Sequence, residues 1–250
     1  MQNLAKVRIV ILAAGLGTRM KSEVPKALTP LFGEPIIKHL LKAVKVANID
    51  ARPIIVIGHK KDEVVQALGS GYEYAIQEEQ LGTAHALLTA KENLKDAKHI
   101  VVLYGDQPSV SGGTLKNLVN KHLSSGAKIT LTTARLPDYA DWRQALLHFG
   151  RILRKDKKIT GVHEYKETSA AEKNITEINA GHYVFEASWL WANLNKVGNE
   201  NSKREYYLPT LFEIAEKNNE KIESIQIDPR EALGANSKEE LEILEKMMLE

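Results

Sequence analysis

A short apolar strand that runs straight into a glycine-containing, cation-bearing turn is the feature that most limits what this chain can fold into. Residues 7 to 12, VRIVIL, are dominated by β-branched and apolar side chains, as expected of a strand buried on both faces of a parallel sheet. Such a strand belongs at the sheet's centre. The turn follows in LAAGLGTRMKSEVPK, Leu12 to Lys26. Ala13, Ala14, Gly15 and Gly17 have small or absent side chains, so a ligand can approach the backbone and N–H groups can point at phosphate oxygens. Arg19 and Lys26 add positive charge. The chemistry implied is nucleotide phosphate binding. A plainer reading, a tight strand-to-helix turn without a ligand, fits the two glycines alone equally well.

Two commoner glycine motifs are excluded. A Walker loop needs Gly-Lys-Ser or Gly-Lys-Thr after its spacer, and no such string occurs. A dinucleotide fingerprint needs glycine where Met20 stands and an acidic residue closing the second strand, which ends instead in Gly58 and His59.

Strand and helix patterns alternate through the first half: Val7 to Leu12, a helix from about Pro35 to Asn48, Pro53 to Ile57, a helix over Lys61 to Leu68, Tyr72 to Ile76, a helix from Gly82 to Asn93, and His99 to Tyr104. This alternation predicts a parallel sheet covered by helices, hence an α/β fold. Asp106 follows the last of these strands, at the carboxyl edge where doubly wound sheets bind ligands. The second half is less regular, with strands expected at Ile129 to Thr133, Arg151 to Arg154 and Gly181 to Phe185, and helices near Thr114 to Leu123 and Leu208 to Asn218. A last helix over residues 237 to 249 opens with Ser237 and Glu240 at capping-box spacing and carries Leu241, Leu244 and Met248 on one face.

The 250 residues suffice for one large domain, and no linker, repeat or low-complexity tract divides them. Thirty-four basic and 32 acidic residues are well mixed, for a net charge of +2, so no nucleic-acid or membrane partner is implied. Small molecules are the expected partners. The absence of cysteine excludes disulfides, thiolate metal sites and a cysteine nucleophile. No secretory leader or membrane span is read, and a cytoplasmic location is the expectation. The eight histidines show no zinc-site spacing, and there is no Gly-x-Ser-x-Gly elbow.

Asp106 has a place suited to Mg²⁺, which takes one or two protein oxygens and completes its octahedron with phosphates and water. Turn or helix capping by Asp106 is the alternative. Asn236, just before the last helix, reads equally as a helix cap. The segment from Gln77 to Ala86 reads by spacing as a loop opening a helix, with Thr83 its cap and His85 structural. Glu164 and Asn179 read individually as solvated surface residues.

The string LAAGLGTRMKSEVPKAL resembles the nucleotide-binding signature of sugar-1-phosphate nucleotidyltransferases, LAAGxGTRMxSxxPKxL, with every fixed position filled from Leu12 to Leu28. QEEQLGTAHA from Gln77, LYGDQP from Leu103, GRI from Gly150, EINAG from Glu177, EYYL from Glu205 and GAN from Gly234 recur in the order of the N-acetylglucosamine-1-phosphate uridylyltransferase domain. The resemblance covers nearly the whole chain. It implies a Rossmann-like doubly wound mixed sheet of the nucleotide-diphospho-sugar transferase type, with a nucleotide part at about 1–110 and a sugar part at about 111–235. It implies transfer of UMP from UTP to a sugar 1-phosphate, N-acetylglucosamine 1-phosphate first, with release of pyrophosphate and dependence on Mg²⁺. Another sugar phosphate or nucleotide, including CTP, or a non-catalytic sugar-nucleotide sensor are the alternatives.

By the same resemblance, Arg19 and Lys26 are catalytic, and Leu12, Ala13, Ala14, Gly15, Gly17, Thr18, Gln77, Gly82 and Thr83 bind the nucleotide. Gly150, Glu164, Asn179 and Tyr207 bind the sugar, while Asp106 and Asn236 hold the metal. Three departures touch the sugar side. LLHFGRI with about eight extra residues around Asp141 to Leu147 replaces the family's Pro-x-Gly-Tyr-Gly-Arg-like loop, Pro209 and Thr210 replace Thr-Asp, and Ala180 with Gly181 follows Asn179. Without hexapeptide repeats before Glu250, the family's acetyltransferase module and its activity are expected to be absent. Oligomeric state is left open.

Overall fold

The computed structural model describes residues 6–15, 17, 20 and 24–249. Along the chain run β1 (Val7–Leu12), β2 (Pro30–Leu31), β3 (Glu34–Pro35), α1 (Ile36–Ala47), β4 (Ile54–Ile57), α2 (Lys61–Leu68), β5 (Glu73–Ile76), α3 (Thr83–Thr89) and β6 (His99–Tyr104). There follow α4 (Gly112–Ser125), β7 (Ile129–Arg135), β8 (Arg151–Lys155), β9 (Lys158–His163), β10 (Glu177–Glu186), α5 (Ala187–Leu194), α6 (Thr210–Lys217), β11 (Ile222–Ile227) and α7 (Lys238–Leu249). Among the described residues one nine-stranded sheet has the order β11-β7-β10-β6-β1-β4-β5, with the β8–β9 hairpin attached to β10. All pairings along that order are parallel except the two made by β10, which runs against both β6 and β7. This is the expected doubly wound mixed α/β sheet.

The sequence alternation explains how both faces are covered. In β1, Val7, Ile9 and Ile11 enter one core with Ile37, Leu40 and Val44 of α1 and Leu115 and Leu118 of α4. Val10 and Leu12 enter the other, with Leu87 of α3, Leu190 of α5 and Phe212 of α6. Both faces are dry because successive side chains point to opposite sides. A third cluster under α7 gathers Leu31, Ile36, Leu146, Ile178, Leu244 and Met247.

After β1 the chain adds β4 and β5 on one side, then crosses to place β6 on the other. The carboxyl ends of β1 and β6 therefore lie side by side, with Leu12 opposite Tyr104 and the Gly105 N–H donating to the Leu12 carbonyl at 2.9 Å. That reversal of strand order opens a crevice beyond the strand ends. On the far side, Arg135 of β7 pairs with Glu177 of β10 and the Leu136 N–H donates to the Thr176 carbonyl at 3.0 Å. The whole excursion from 136 to 176 thus departs from and returns to neighbouring rungs of the β7–β10 ladder, with β8 pairing back onto β10 at Ile178 and Arg151. Arg154 of β8 clamps its base with two bonds to the Glu177 carboxylate, at 2.7 and 2.9 Å.

Several expectations shift. The helix expected from Gly82 to Asn93 ends at Thr89, followed by a 3₁₀ turn at Glu92–Leu94. The strand at Gly181 to Phe185 is twice as long, which puts Asn179 inside β10. In α7 it is Met247 that faces the core, while Met248 is exposed. The segment at Asp141 to Leu147 forms a 3₁₀ turn that seals Leu146 into the third cluster. β9, α5 and β11 were not anticipated.

Candidate active site

The crevice at the strand reversal is a cavity of about 390 Å³, a volume typical of small-molecule sites. Its floor is the backbone of Leu12, Ala13, Ala14, Gly15 and Gly17. The Ala13 N–H is taken by the Val56 carbonyl at 2.8 Å, which fixes where the turn leaves β1. Gly17 has φ +63°, and a Cβ there would lie 2.9 Å from Lys26 Cβ, so glycine is what lets the Lys26 stem pass the turn. Thr18 and Arg19 lie outside the described residues.

Lys26 opens a 3₁₀ turn at Lys26–Leu28 and turns its ammonium into the cavity. It donates to Asp106 Oδ2 and, at 2.6 Å, to Asn236 Oδ1. The helix-capping alternatives for both acceptors give way here. α4 is capped by Ser111, and the N–H of Glu240 in α7 goes to Ser237 Oγ. Glu240 in turn accepts from both the backbone N and Nδ2 of Asn236, at 2.8 and 2.9 Å, so the amide is oriented with its oxygen toward Lys26. Behind this pair, a Cβ on Gly234 would lie 2.7 Å from the Asp106 carbonyl, and the Ala235 N–H donates to that carbonyl. The GAN segment can approach Asp106 only because it begins with glycine.

At the other end of the cavity Gln77, almost fully buried, donates from Nε2 to the Gly82 carbonyl at 3.1 Å and meets His85 Nδ1 at 3.0 Å. Its amide nitrogen is committed to the protein, and the oxygen is the half through which it can meet a ligand. His85 is structural, as expected. Gly82 has φ +113°, and a Cβ there would fall 2.6 Å from backbone atoms of Tyr206. The capping role expected of Thr83 is not found. Gly82 holds the cap position, and Thr83 Oγ1 accepts from the Leu208 N–H at 2.9 Å, tying the EYYL segment to α3.

Every described residue expected to bind nucleotide or metal lines this one cavity, whereas Gly150, Glu164, Asn179 and Tyr207 do not line it. Asn179, and Gly150 through it, stands behind the cavity along a chain of packed tyrosine rings. Thr83 and Tyr104 line the cavity, the ring of Tyr104 meets that of Tyr183 edge-on at 6.2 Å between centres, and Tyr183 Oη accepts from Asn179 Nδ2 at 2.6 Å. Asn179 is buried rather than solvated, and its oxygen accepts from the Gly181 N–H. Its backbone N–H donates to the Gly150 carbonyl at 2.9 Å. Glu164 keeps part of its surface open, yet its carboxyl is enclosed. Burial raises its pKa, Lys203 opposes that, and Glu167 and Glu205 add to it. Burial, then the charges of Glu205, Glu164 and Glu167, push Tyr207 up to about 12.

Sequence reasoning missed Tyr104, Gln80, Lys203 and Glu205 as cavity residues. Tyr104 and Glu205 sit inside blocks already singled out, LYGDQP and EYYL, so the signal was present. Lys203 offers none beyond its charge.

A backbone cradle at the reversal point of a doubly wound sheet, faced by an ammonium between two oxygen donors, defines a nucleotide-handling α/β protein. Residues 9–196 match the family model described as the MobA-like NTP transferase domain, and the chain belongs to that family of nucleotidyltransferases. It is 41% identical over 237 residues to the bifunctional protein GlmU of Desulfotalea psychrophila, across 93% of this chain and 68% of that protein. Against the bifunctional protein GlmU of Thermus thermophilus it is 42% identical over 242 residues, 96% of this chain and 51% of the relative. The chain thus spans about two thirds of one relative and about half of the other. The fold also matches a solved UDP-glucose pyrophosphorylase in complex with UDP-glucose, with TM-score 0.75, 16% identity and coverage of 97% and 98% of the two chains. A Bacillus anthracis structure described as a glucose-1-phosphate thymidylyltransferase matches with TM-score 0.76, 18% identity and coverage of 96% and 94%. Among the described residues no helix is long and apolar enough to cross a membrane.

Proposed function

We propose that this protein transfers UMP from UTP to a sugar 1-phosphate, N-acetylglucosamine 1-phosphate first among candidates, to give a UDP-sugar and pyrophosphate. The observation that carries the reading is the Lys26 ammonium, held between Asp106 and Asn236 at the edge of a backbone cradle. The attacking sugar phosphate is already an anion at neutral pH, so neither a general base nor a covalent nucleophile is needed. Placement and charge neutralisation suffice.

Lys26 neutralises charge that builds on the phosphates during transfer, and the N–H groups of Ala14, Gly15 and Gly17 orient them. Arg19, catalytic by the resemblance, neutralises the β and γ phosphates that leave as pyrophosphate. Two side-chain oxygens that converge on one cation are a donor set that fits Mg²⁺, which Asp106 and Asn236 would hold with phosphates and water completing the shell. Among the described residues no closed cluster of three or more acidic, His or Cys ligands competes for it. When bound, the ion would polarise the α-phosphate and offset charge on the leaving group.

Preference for UTP over CTP is supported by Gln77. With its nitrogen committed to Gly82 and His85, the amide presents an oxygen, which pairs with the N3–H of uracil and not with the bare N3 of cytosine. The sugar is argued from Glu164 and Asn179, which lie outside the cavity lining.

The test is a panel of nucleoside triphosphates against sugar 1-phosphates, read as pyrophosphate release with Mg²⁺. UTP with N-acetylglucosamine 1-phosphate should give the highest kcat/KM, beating glucose 1-phosphate by at least about tenfold. Equal use of both sugars would overturn the acetamido assignment, and a preference for CTP would overturn the base assignment. A sensor would bind UTP or the UDP-sugar and release no pyrophosphate.

A further inference from the structure

Among the described residues Arg151 is the largest side chain with no exposure to solvent. It opens β8 immediately after Gly150, and among the described residues its guanidinium forms no ion pair with any carboxylate. Instead Nη1 donates to the Phe149 carbonyl at 2.6 Å and Nη2 to the Leu147 carbonyl at 2.9 Å, while Nε is buried without a partner. The guanidinium carbon lies 4.6 Å from the centre of the Tyr139 ring and 4.9 Å from that of Tyr165. Burial lowers its pKa, with the two phenols opposing.

A buried cation without a counter-ion is an expensive way to fill space, since an apolar side chain of similar volume would serve packing as well or better. What it gains is direction. A guanidinium is planar and offers its donors in a fixed fork, so two carbonyls and two ring faces are held in one mutual arrangement.

Each of those partners leads to a residue assigned above to the sugar. Leu147 and Phe149 belong to the loop that delivers Gly150, whose carbonyl accepts the Asn179 N–H. Tyr165 follows Glu164 in the chain. Tyr139 donates through its hydroxyl to the Ile175 carbonyl at 2.8 Å, just ahead of β10 and Asn179. Resting on the sugar-1-phosphate reading of the site, we infer that Arg151 is a positioning residue that sets Gly150, Glu164 and Asn179 relative to one another and so determines selection of the sugar 2-substituent. It touches neither substrate.

The experiment compares Arg151→Met, Arg151→Lys, Tyr165→Leu and Tyr165→Phe in the whole chain, with KM for UTP, KM for the sugar 1-phosphate and kcat measured for N-acetylglucosamine 1-phosphate and glucose 1-phosphate. Arg151→Met should raise KM for the acetamido sugar by at least about tenfold and bring the two sugars' kcat/KM values together, with KM for UTP changed less than about twofold. Arg151→Lys keeps charge but loses the fork, and should recover little. Tyr165→Leu removes one ring face while leaving the carbonyl bonds, so it carries the test if Arg151→Met does not fold, and should shift the same ratio. Tyr165→Phe retains the face and should restore selectivity.

A folded Arg151→Met or Tyr165→Leu with wild-type sugar selectivity overturns the inference. So does a loss spread evenly over UTP and sugar, which marks a purely structural role. If the wild-type protein uses no sugar 1-phosphate at all, the underlying reading fails first, and the wild-type control reports that separately.

Discussion

The Lys26 ammonium donates to the Asn236 side-chain oxygen at 2.6 Å, joining the turn that follows β1 to the segment just ahead of the last helix across 210 residues of sequence. Because the same ammonium also contacts Asp106, it occupies the space between the two oxygens proposed to hold a divalent cation.

The first prediction follows from that competition. Lys26→Gln should bind Mn²⁺ more tightly than the wild type in nucleotide-free protein, because the resident cation has been removed. At the same time kcat should fall by roughly 10²-fold or more, with a smaller rise in KM for UTP, because the charge it neutralises develops during transfer. Calorimetric titration and steady-state kinetics read the two effects. Unchanged or weaker Mn²⁺ binding would show that the lysine does not contend for the site.

Asp106→Ala should lower pyrophosphate release by orders of magnitude and weaken Mn²⁺ binding, with little change in melting temperature. The carboxylate sits at the cavity edge and is about one quarter exposed, so it contributes little packing. Near-normal turnover by a folded variant would remove Asp106 from the metal site.

Two glycines of the cavity should respond oppositely to alanine. A Cβ on Gly15 meets nothing within 4 Å, so Gly15→Ala should leave stability nearly unchanged and raise KM for UTP by obstructing approach to the backbone. Gly82→Ala adds a methyl at φ +113° against Tyr206 backbone at 2.6 Å, and should destabilise the protein by roughly 1–3 kcal/mol or more. Urea unfolding and UTP kinetics separate the pair. Equal stability losses in the two variants would contradict the geometry.

His182 gives a pH dependence. It is fully buried with Nδ1 bonded to Thr132 Oγ1, and burial alone lowers its pKa to about 4. In the unfolded chain the value returns to about 6.5. Between these values the unfolded state carries the extra proton, so stability is full above about pH 6.5 and declines as pH falls toward 4. The loss from this residue between pH 7.5 and 5 is about 2 kcal/mol. His182→Asn should show a shallower decline over that interval in urea unfolding, whatever its stability at pH 7.5. Parallel declines would mean that His182 is not neutral in the folded state.

The parts legible in the sequence are those whose physics is local. β1, α2 and β6 have the expected bounds because continuous apolar runs and helical periodicity are written in consecutive residues. Asp106 and the Leu12 to Gly17 turn were readable because ligands gather where strands end. β11 was missed because IESIQI is a half-exposed edge strand whose identity comes from pairing with β7, far away in sequence. The Tyr104–Tyr183–Asn179 contacts were invisible for the same reason, since they depend on β10 lying beside β6. Arg151 looks in sequence like any surface arginine, and its burial is made tolerable by the Leu147 and Phe149 carbonyls together with the rings of Tyr139 and Tyr165.

The excursion from 136 to 176 departs from and returns to adjacent rungs of the same ladder, closed by Arg135 opposite Glu177 and by the Leu136-to-Thr176 bond. The central sheet therefore registers where this segment begins and ends, and is nearly indifferent to how long it is. Doubling such a loop adds only about 0.6 kcal/mol to its closure, so the extra residues near Asp141 can be carried without disturbing the strands whose ends line the cavity. Gly150 and Glu164 ride on the excursion, whereas Gly15, Lys26, Gln77 and Asp106 do not. On the proposed assignments part of acceptor choice rides apart from donor handling, and grafting the 136–176 cassette from a relative with another sugar would exchange Gly150 and Glu164 while leaving Asn179 and Tyr207 in place.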